Sequence, residues 1–197
     1  MAGATRLVLA SHNPHKAREF ERLLPAFAVE PYEGELPEET GETFRANAEL
    51  KAEHVHAVVA GAAWVLADDS GIEAAALGGR PGVRSARFAG EGASDQQNLQ
   101  ALLAALAPHA DRSVAYVAEL VLIAPDGGRL HARGELRGTL AGEPRGDGGF
   151  GYDPVFIAEG ETRTVGEMSA AEKDAISHRA RAAAQLRSQL AGDRTGP

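Results

Sequence analysis

Short apolar runs and helix-periodic stretches alternate along most of the chain. Leu7, Val8, Leu9 and Ala10 are continuously apolar, the pattern of a strand buried on both faces. After the polar stretch "SHNPHK", Ala17, Phe20 and Leu24 recur at helical spacing. Pro14 suits a first helical position and pushes Asn13 toward the extended geometry of an N-cap, and Pro25 ends the helix. A second amphipathic helix is predicted from Thr43 to Ala60, carrying Phe44, Ala48, Ala52, Val55 and Val59, with Gly61 as its stop. Trp64 to Ala67 predicts a short buried strand that ends in "DDSG". Ser94 and Gln97 form a capping box ahead of Leu99, Leu102, Leu103 and Leu106, and Pro108 closes that helix. The runs "SVAYVAELVLIA" and "RLHARGELRGTL", joined by "PDGG", predict a hairpin. A glycine-rich "RGDGGFGYDP", a short strand "VFIA", a helix capped by Ser169 and Glu172, and a last helix after Ser177 complete the pattern. Strands alternating with helices around one antiparallel hairpin predict an α/β protein with a mixed sheet.

Composition narrows the function. At 197 residues the chain forms one domain, or one domain with a lobe, with room for a core. Zero cysteines exclude disulfides and thiolate metal sites. No apolar run approaches the roughly 20 residues of a membrane span, and the N-terminus lacks the plan of a signal peptide, so the expected location is cytoplasmic. The net charge of −8 argues against nucleic-acid binding, which rests on clustered Lys and Arg. A small anionic ligand remains compatible with it if local cations or a metal offset the field.

Five polar stretches carry candidate chemistry. In "SHNPHK", Lys16 falls at the third helical position, where the helix dipole disfavours a cation by roughly 0.3–1 kcal/mol unless an anion sits there. On that reasoning the loop either binds an anion or presents a solvated lysine; if it binds an anion, removing Lys16 would leave the ligand-free protein as stable or slightly more so. In "LADDSG", Asp68 and Asp69 fall at a strand's carboxyl end, a usual place for ligands of α/β sheets; an Asx turn is the competing reading. Adjacent strand side chains point to opposite faces, so the two carboxylates need not enter one site. Glu38, Glu39 and Glu42 precede the second helix, and oxygen ligands in a chain without Cys suit Mg²⁺ or Mn²⁺; a solvated acidic loop is the alternative. Gly146, Gly148 and Gly151 match G-x-G-x-x-G, but the stretch follows Pro144 and precedes a strand, so the dinucleotide reading fails. Phe150 among those glycines is placed either to stack on a flat ligand or to pack in its own loop. His178 and Arg179 repeat the oddity of Lys16 at a second helix start, and two such misfits point to one anionic ligand faced by both.

In order along nearly the whole chain, "LASHNPHK", "EETGETFRANAELKA", "ADDSGIEAAALGGRPGVRSARFAG", "GGFGYDPVF" and "EMSAAEKDAISHR" resemble the signatures of the inosine and xanthosine triphosphate pyrophosphatases. Ser11 and His12 stand where that family usually has Thr and Gly; Ser keeps the hydroxyl, whereas His12 adds bulk beside the phosphate loop. The resemblance implies a single catalytic domain over residues 1–197, with an elongated mixed sheet flanked by helices and a cleft between two lobes. It also implies a homodimer, with hydrolysis of ITP, dITP or XTP to the monophosphate and pyrophosphate. By position, Ser11, Asn13 and Lys16, with His12, Pro14 and His15 in the same loop, would hold the phosphates. Glu38 and Asp69 would bind Mg²⁺, with Mn²⁺ as substitute. Asp69 would accept the proton of the attacking water, with Asp68 and Ser70 beside it. Phe150 would stack on the base, and Gly151, Tyr152 and Asp153 would shape its pocket. Lys173, His178 and Arg179 would contact base and phosphate. Donors on His178 or Arg179 match the 6-oxo group of hypoxanthine and xanthine and mismatch the 6-amino group of adenine. Two other classes share parts of this pattern: a nucleotide-binding regulator without catalysis, and a metal-dependent phosphohydrolase acting on another nucleotide.

Overall fold

The structure is a computed structural model that describes residues 4–192. A six-stranded sheet runs in the order β2-β1-β3-β4-β5-β6. Its strands are β1 (Thr5–Leu9), β2 (Phe27–Pro31), β3 (Trp64–Ala74), β4 (Ser113–Ile123), β5 (Arg129–Leu140) and β6 (Phe156–Ala158). β1 pairs parallel with β2 and β3, while β6 pairs antiparallel with β5, so the sheet is mixed as the alternation of elements predicts. Five helices accompany it: α1 (Pro14–Leu23), α2 (Phe44–Val59), α3 (Asp95–Leu106), α4 (Ala170–Ile176) and α5 (His178–Gly192). No helix among the described residues is long and apolar enough to cross a membrane.

The local signals act as expected. Asn13 Oδ1 accepts the His15 and Lys16 amides, Thr43 caps α2, and Ser94–Gln97 and Ser169–Glu172 form complete capping boxes. The left-handed residue that ends α2 is Ala60, at φ 49°, one position before Gly61. One prediction is corrected: β3 does not stop at Ala67. Its ladder continues through "DDSG" to Ala74, so Asp68 and Asp69 lie inside a strand and the Asx-turn reading falls. Asp, Ser and Gly are poor strand formers, but this weak preference yields to the context of the sheet, in which β3 lies between β1 and β4.

The chain divides into two compact units: the chain up to Asp69 with Ala118–Gly134 and the chain from Arg179, and Ser70–Val117 with Glu135–His178. In the first unit the sheet is covered on both faces. Leu7, Leu9 and Leu66 pack with Ala17, Phe20 and Leu23 of α1 and with Ala182, Ala183 and Leu186 of α5. Val8, Ala10, Val65 and Ala67 pack instead with Ala48, Ala52 and Val55 of α2. The two-residue period of a strand therefore assigns even positions of β3 to the α1/α5 face and odd positions to the α2 face. In the second unit Ile72, Leu99, Leu102, Leu106, Tyr116 and Phe156 belong to one apolar cluster.

Candidate active site

The same alternation that buries Leu66 and Val65 on opposite faces separates the two aspartates. Asp68 is fully buried on the α1/α5 face. Its Oδ2 lies 2.9 Å from Lys16 Nζ and 3.1 Å from Arg179 Nε, and Arg179 Nη1 in turn donates to Glu19 Oε2 at 3.0 Å. Lys16 is at the start of α1 and Arg179 at the start of α5, and both helix-start cations converge on one anion, where their repeated misfit implied an anionic ligand. That anion belongs to the chain itself. The expectation that Lys16 faces only like charge in the free protein is therefore overturned. Burial pushes the Asp68 carboxyl up, but Lys16 and then Arg179 outweigh it and hold it well below the usual carboxylate range. In the free protein it is the counter-ion of Lys16 and Arg179. Two cations meet two carboxylates on this face, and the charge is closed.

Asp69 points the other way, toward α2. Asn47 and Lys51, four residues apart and so on one side of that helix, reach it: Asn47 Nδ2 donates to Oδ2 at 3.2 Å, and Lys51 Nζ lies 3.2 Å from Oδ1. Lys51 also donates to Glu39 Oε1 at 2.6 Å and to the Asp68 carbonyl oxygen at 3.0 Å, which occupies all three of its donors. Burial, and Glu39 beside it, raise the Asp69 carboxyl above the ordinary value against the pull of Lys51. Lys51 is shifted upward: desolvation works against its charge, but Asp69 and Glu39 prevail. Lys51 thus serves two carboxylates, Asp69 and Glu39.

The other sequence-predicted residues fall as follows. Ser11 is buried and its Oγ accepts the Asn13 amide at 3.1 Å, closing the turn that Asn13 then caps. Lys16 spends two donors on Asp68, its carboxylate and its carbonyl oxygen at 3.3 Å, and keeps one. His12 turns away from the helix start, its Nε2 pairing with the Gly34 carbonyl at 2.8 Å, so its bulk ties the loop to the acidic segment. Pro14 and His15 are exposed in the first turn. Glu38 is exposed, and its neighbour Glu39 is the side chain that reaches Lys51. Ser70 is half-buried on β3.

In the second unit the glycine-rich stretch is built around Asp153. Its Oδ2 accepts Lys173 Nζ at 2.7 Å and the Phe150 amide at 2.9 Å, and its Oδ1 accepts the Tyr116 hydroxyl at 3.1 Å. Gly149 sits at φ 72°, and a Cβ there would come within 2.0 Å of Asp153 Oδ2, so this glycine is required. The Gly151 amide is held by Asp95 Oδ2 at 2.8 Å. Lys173 Nζ stands 4.7 Å from the centre of the half-buried Phe150 ring. The Tyr152 hydroxyl donates to the Ser85 carbonyl at 2.7 Å, and burial, then Asp95, pushes its phenol above the ordinary value. The His178 ring is buried and stacks on Tyr116.

Glu19, Asn47, Lys51 and Tyr116 escaped the sequence reading. Asn47 and Lys51 had a signal: they occur at i+3 and i+7 from Phe44, inside the apolar stripe of α2, where a polar side chain needs a buried partner.

A metal ion fits the α2 face by charge and donor type. A buried carboxylate whose ionised form is disfavoured, next to a second one, gains from a hard cation. Among the described residues no group of three or more His, Asp or Glu is arranged to hold a metal alone. Magnesium is commonly held by one or two carboxylates, with water and substrate phosphate completing its shell.

Known proteins with this arrangement of sequence share its architecture. A dITP/XTP pyrophosphatase of Mycobacterium tuberculosis is 45% identical over 207 aligned positions that span all of both chains. One from Deinococcus radiodurans is 46% identical over 92% of this chain and 90% of its own. The solved structure of the Staphylococcus aureus Ham1 protein superposes with a TM-score of 0.84 at 36% identity, covering 95% of this chain and 99% of the other. The Ham1 family model matches residues 7–189, from within the first strand into the last helix, and so takes in both aspartates, both helix-start cations and the glycine-rich stretch. By the extent of that match, the chain belongs to the Ham1 family.

Proposed function

We propose that residues 1–197 act as a single catalytic domain that hydrolyses ITP, dITP and XTP to the nucleoside monophosphate and pyrophosphate. The reaction removes aberrant purine nucleotides before they enter DNA or RNA. The relatives named as dITP/XTP pyrophosphatases support the substrate class. The observation that carries the chemistry is Asp69: a buried carboxyl raised above its ordinary value, oriented by Lys51 and Asn47, beside a second carboxylate.

Water attacks the α-phosphorus, its proton passes to Asp69, and the bond to the bridging α–β oxygen breaks to release pyrophosphate. A raised carboxyl is the better proton acceptor near neutrality, because basicity and ionisation are balanced there. Lys51 and Asn47 fix the two oxygens of Asp69 in place. Lys16 offers its remaining donor to the phosphates, and the Ser11–Asn13 turn sets the position of that helix start. Glu38 and Asp69 would hold Mg²⁺, or Mn²⁺ in its place, which when bound neutralises phosphate charge and favours ionisation of water. The purine is taken by the second unit: Phe150 offers a ring face, while Lys173 and His178 supply donors for a 6-oxo group. Asp68 and Arg179 hold the helix starts rather than exchange protons. The expected assembly is a cytoplasmic homodimer, which light scattering on the purified chain checks for subunit number.

A panel of nucleoside triphosphates with Mg²⁺, with products resolved by anion exchange, tests the proposal. ITP, dITP and XTP should yield monophosphate and pyrophosphate far faster than ATP or GTP yields them. Faster turnover of ATP, release of single phosphate, or binding without turnover would overturn it.

A further inference from the structure

Tyr116 stands in β4 of the second unit, almost fully buried, and the chemistry above makes no use of it. Its ring lies between two others. Phe156 stacks on it at 4.3 Å between centres with planes 22° apart, and His178 stacks at 4.7 Å and 15°. Its hydroxyl donates to Asp153, whose second oxygen holds Lys173 and the Phe150 amide. One side chain therefore touches the base-side groups by two independent routes: ring plane to His178, and hydroxyl through Asp153 to Lys173 and Phe150. Phe156 has no exposed surface, so the stack has a fixed end in the core.

We propose that Tyr116 is the positioning residue for base recognition, setting the plane of His178 with its ring and the orientation of Asp153 with its hydroxyl. This rests on the assignment of His178, Lys173 and Phe150 to the purine. A donor that can tilt accommodates a 6-amino group as readily as a 6-oxo group, so discrimination depends on donors that cannot follow the ligand. Tyr116 supplies that constraint without touching substrate. Its loss reduces the preference between bases more than it reduces turnover of the favoured one.

The test compares wild type with Tyr116→Phe, which keeps the ring, and Tyr116→Leu, which keeps neither route. The ratio of kcat/KM for ITP to that for ATP should fall about fivefold in Tyr116→Phe, the lower end of what one misplaced contact is worth. It should fall further in Tyr116→Leu. An unchanged ratio in both variants, or an equal loss of kcat on both nucleotides, overturns the proposal. A second readout needs no substrate. In the free protein, Tyr116→Leu should shift the His178 ring-proton resonances while Tyr116→Phe leaves them in place, and Tyr116→Phe should shift the Phe150 amide. His178 and Phe150 signals that ignore both substitutions overturn the proposal whatever the enzyme turns over. If wild type releases no pyrophosphate from ITP, the functional reading fails by itself, and the two spectroscopic outcomes still decide the positioning.

Discussion

On the α1/α5 face of β3, Asp68 meets Lys16 and Arg179, and Glu19 completes a set of two cations and two carboxylates. On the α2 face, one residue further along the same strand, Asp69 shares Lys51 with Glu39. The two aspartates have the same chemistry and adjacent positions, yet one is held far down and the other pushed up. Burial acts upward on both; Lys16 and Arg179 outweigh it at Asp68, whereas at Asp69 the pull of Lys51 is opposed by Glu39 as well. On the proposed function the first face holds structure and the second carries the chemistry, so adjacent residues of one strand would divide the two tasks.

The sharpest way to break this comparison is to neutralise each carboxylate without changing its volume. Asp69→Asn should lower kcat for ITP by about 10²- to 10⁴-fold, the usual share of a positioned proton acceptor, with the fold intact by circular dichroism. Near-normal turnover at saturating Mg²⁺ would remove Asp69 from the chemistry. Asp68→Asn should act on stability instead, costing about 3–5 kcal/mol in denaturant unfolding, because a buried charge set loses one partner. Lys16→Met should destabilise the free protein by less, since Arg179 remains on Asp68. Equal stability of wild type and Lys16→Met would restore the picture of a solvated lysine.

The pH dependence sharpens the contrast by sign. Asp68, depressed in the folded state, contributes stability that is present above its unfolded value near 3.8 and lost as pH falls toward its folded value. Asp69 is raised, so its contribution is present below 3.8 and lost as pH rises through its folded value. At neutral pH Asp69→Asn should therefore melt above wild type, and the gain should vanish below about pH 4. Asp68→Asn should melt below wild type, with a deficit that shrinks only in strong acid. Parallel Tm–pH curves for the two variants would dissolve the distinction between the faces. The smallest effect concerns the metal: Glu38→Gln should raise the Mg²⁺ concentration needed for half-maximal activity severalfold. If Glu39→Gln does so and Glu38→Gln does not, the acidic ligand is the one that now holds Lys51.

What the sequence made legible was written within a few residues. The Asn13 and Thr43 caps, the two capping boxes and the "PDGG" turn each involve partners no more than four positions apart, and each forms as expected. The pairings that define the candidate site span much larger separations: Lys16 with Asp68, Asp69 with Lys51, Arg179 with Glu19. Charge alone told that Lys16 and Arg179 sat uncomfortably at helix starts and pointed to an anionic ligand, but not to Asp68, the carboxylate that both of them meet. The extension of β3 through "DDSG" was hidden because those residue types favour turns in isolation. Glu38 and Glu39 are indistinguishable by type, and only the path of the loop turns one of them toward Lys51.

The placement of both aspartates inside a paired strand, rather than in a loop, bears on how this stretch can vary. Substitutions between Trp64 and Asp69 alter one contact at a time, but an inserted or deleted residue shifts the pleat and exchanges faces for everything that follows. The carboxylate destined for the face of Lys16 and Arg179 would then be delivered to that of Lys51, and its neighbour the reverse. Surface connections, by contrast, generally tolerate changes of length. The four strand residues leading to the aspartates are bound to a constant length, whatever letters they are written in.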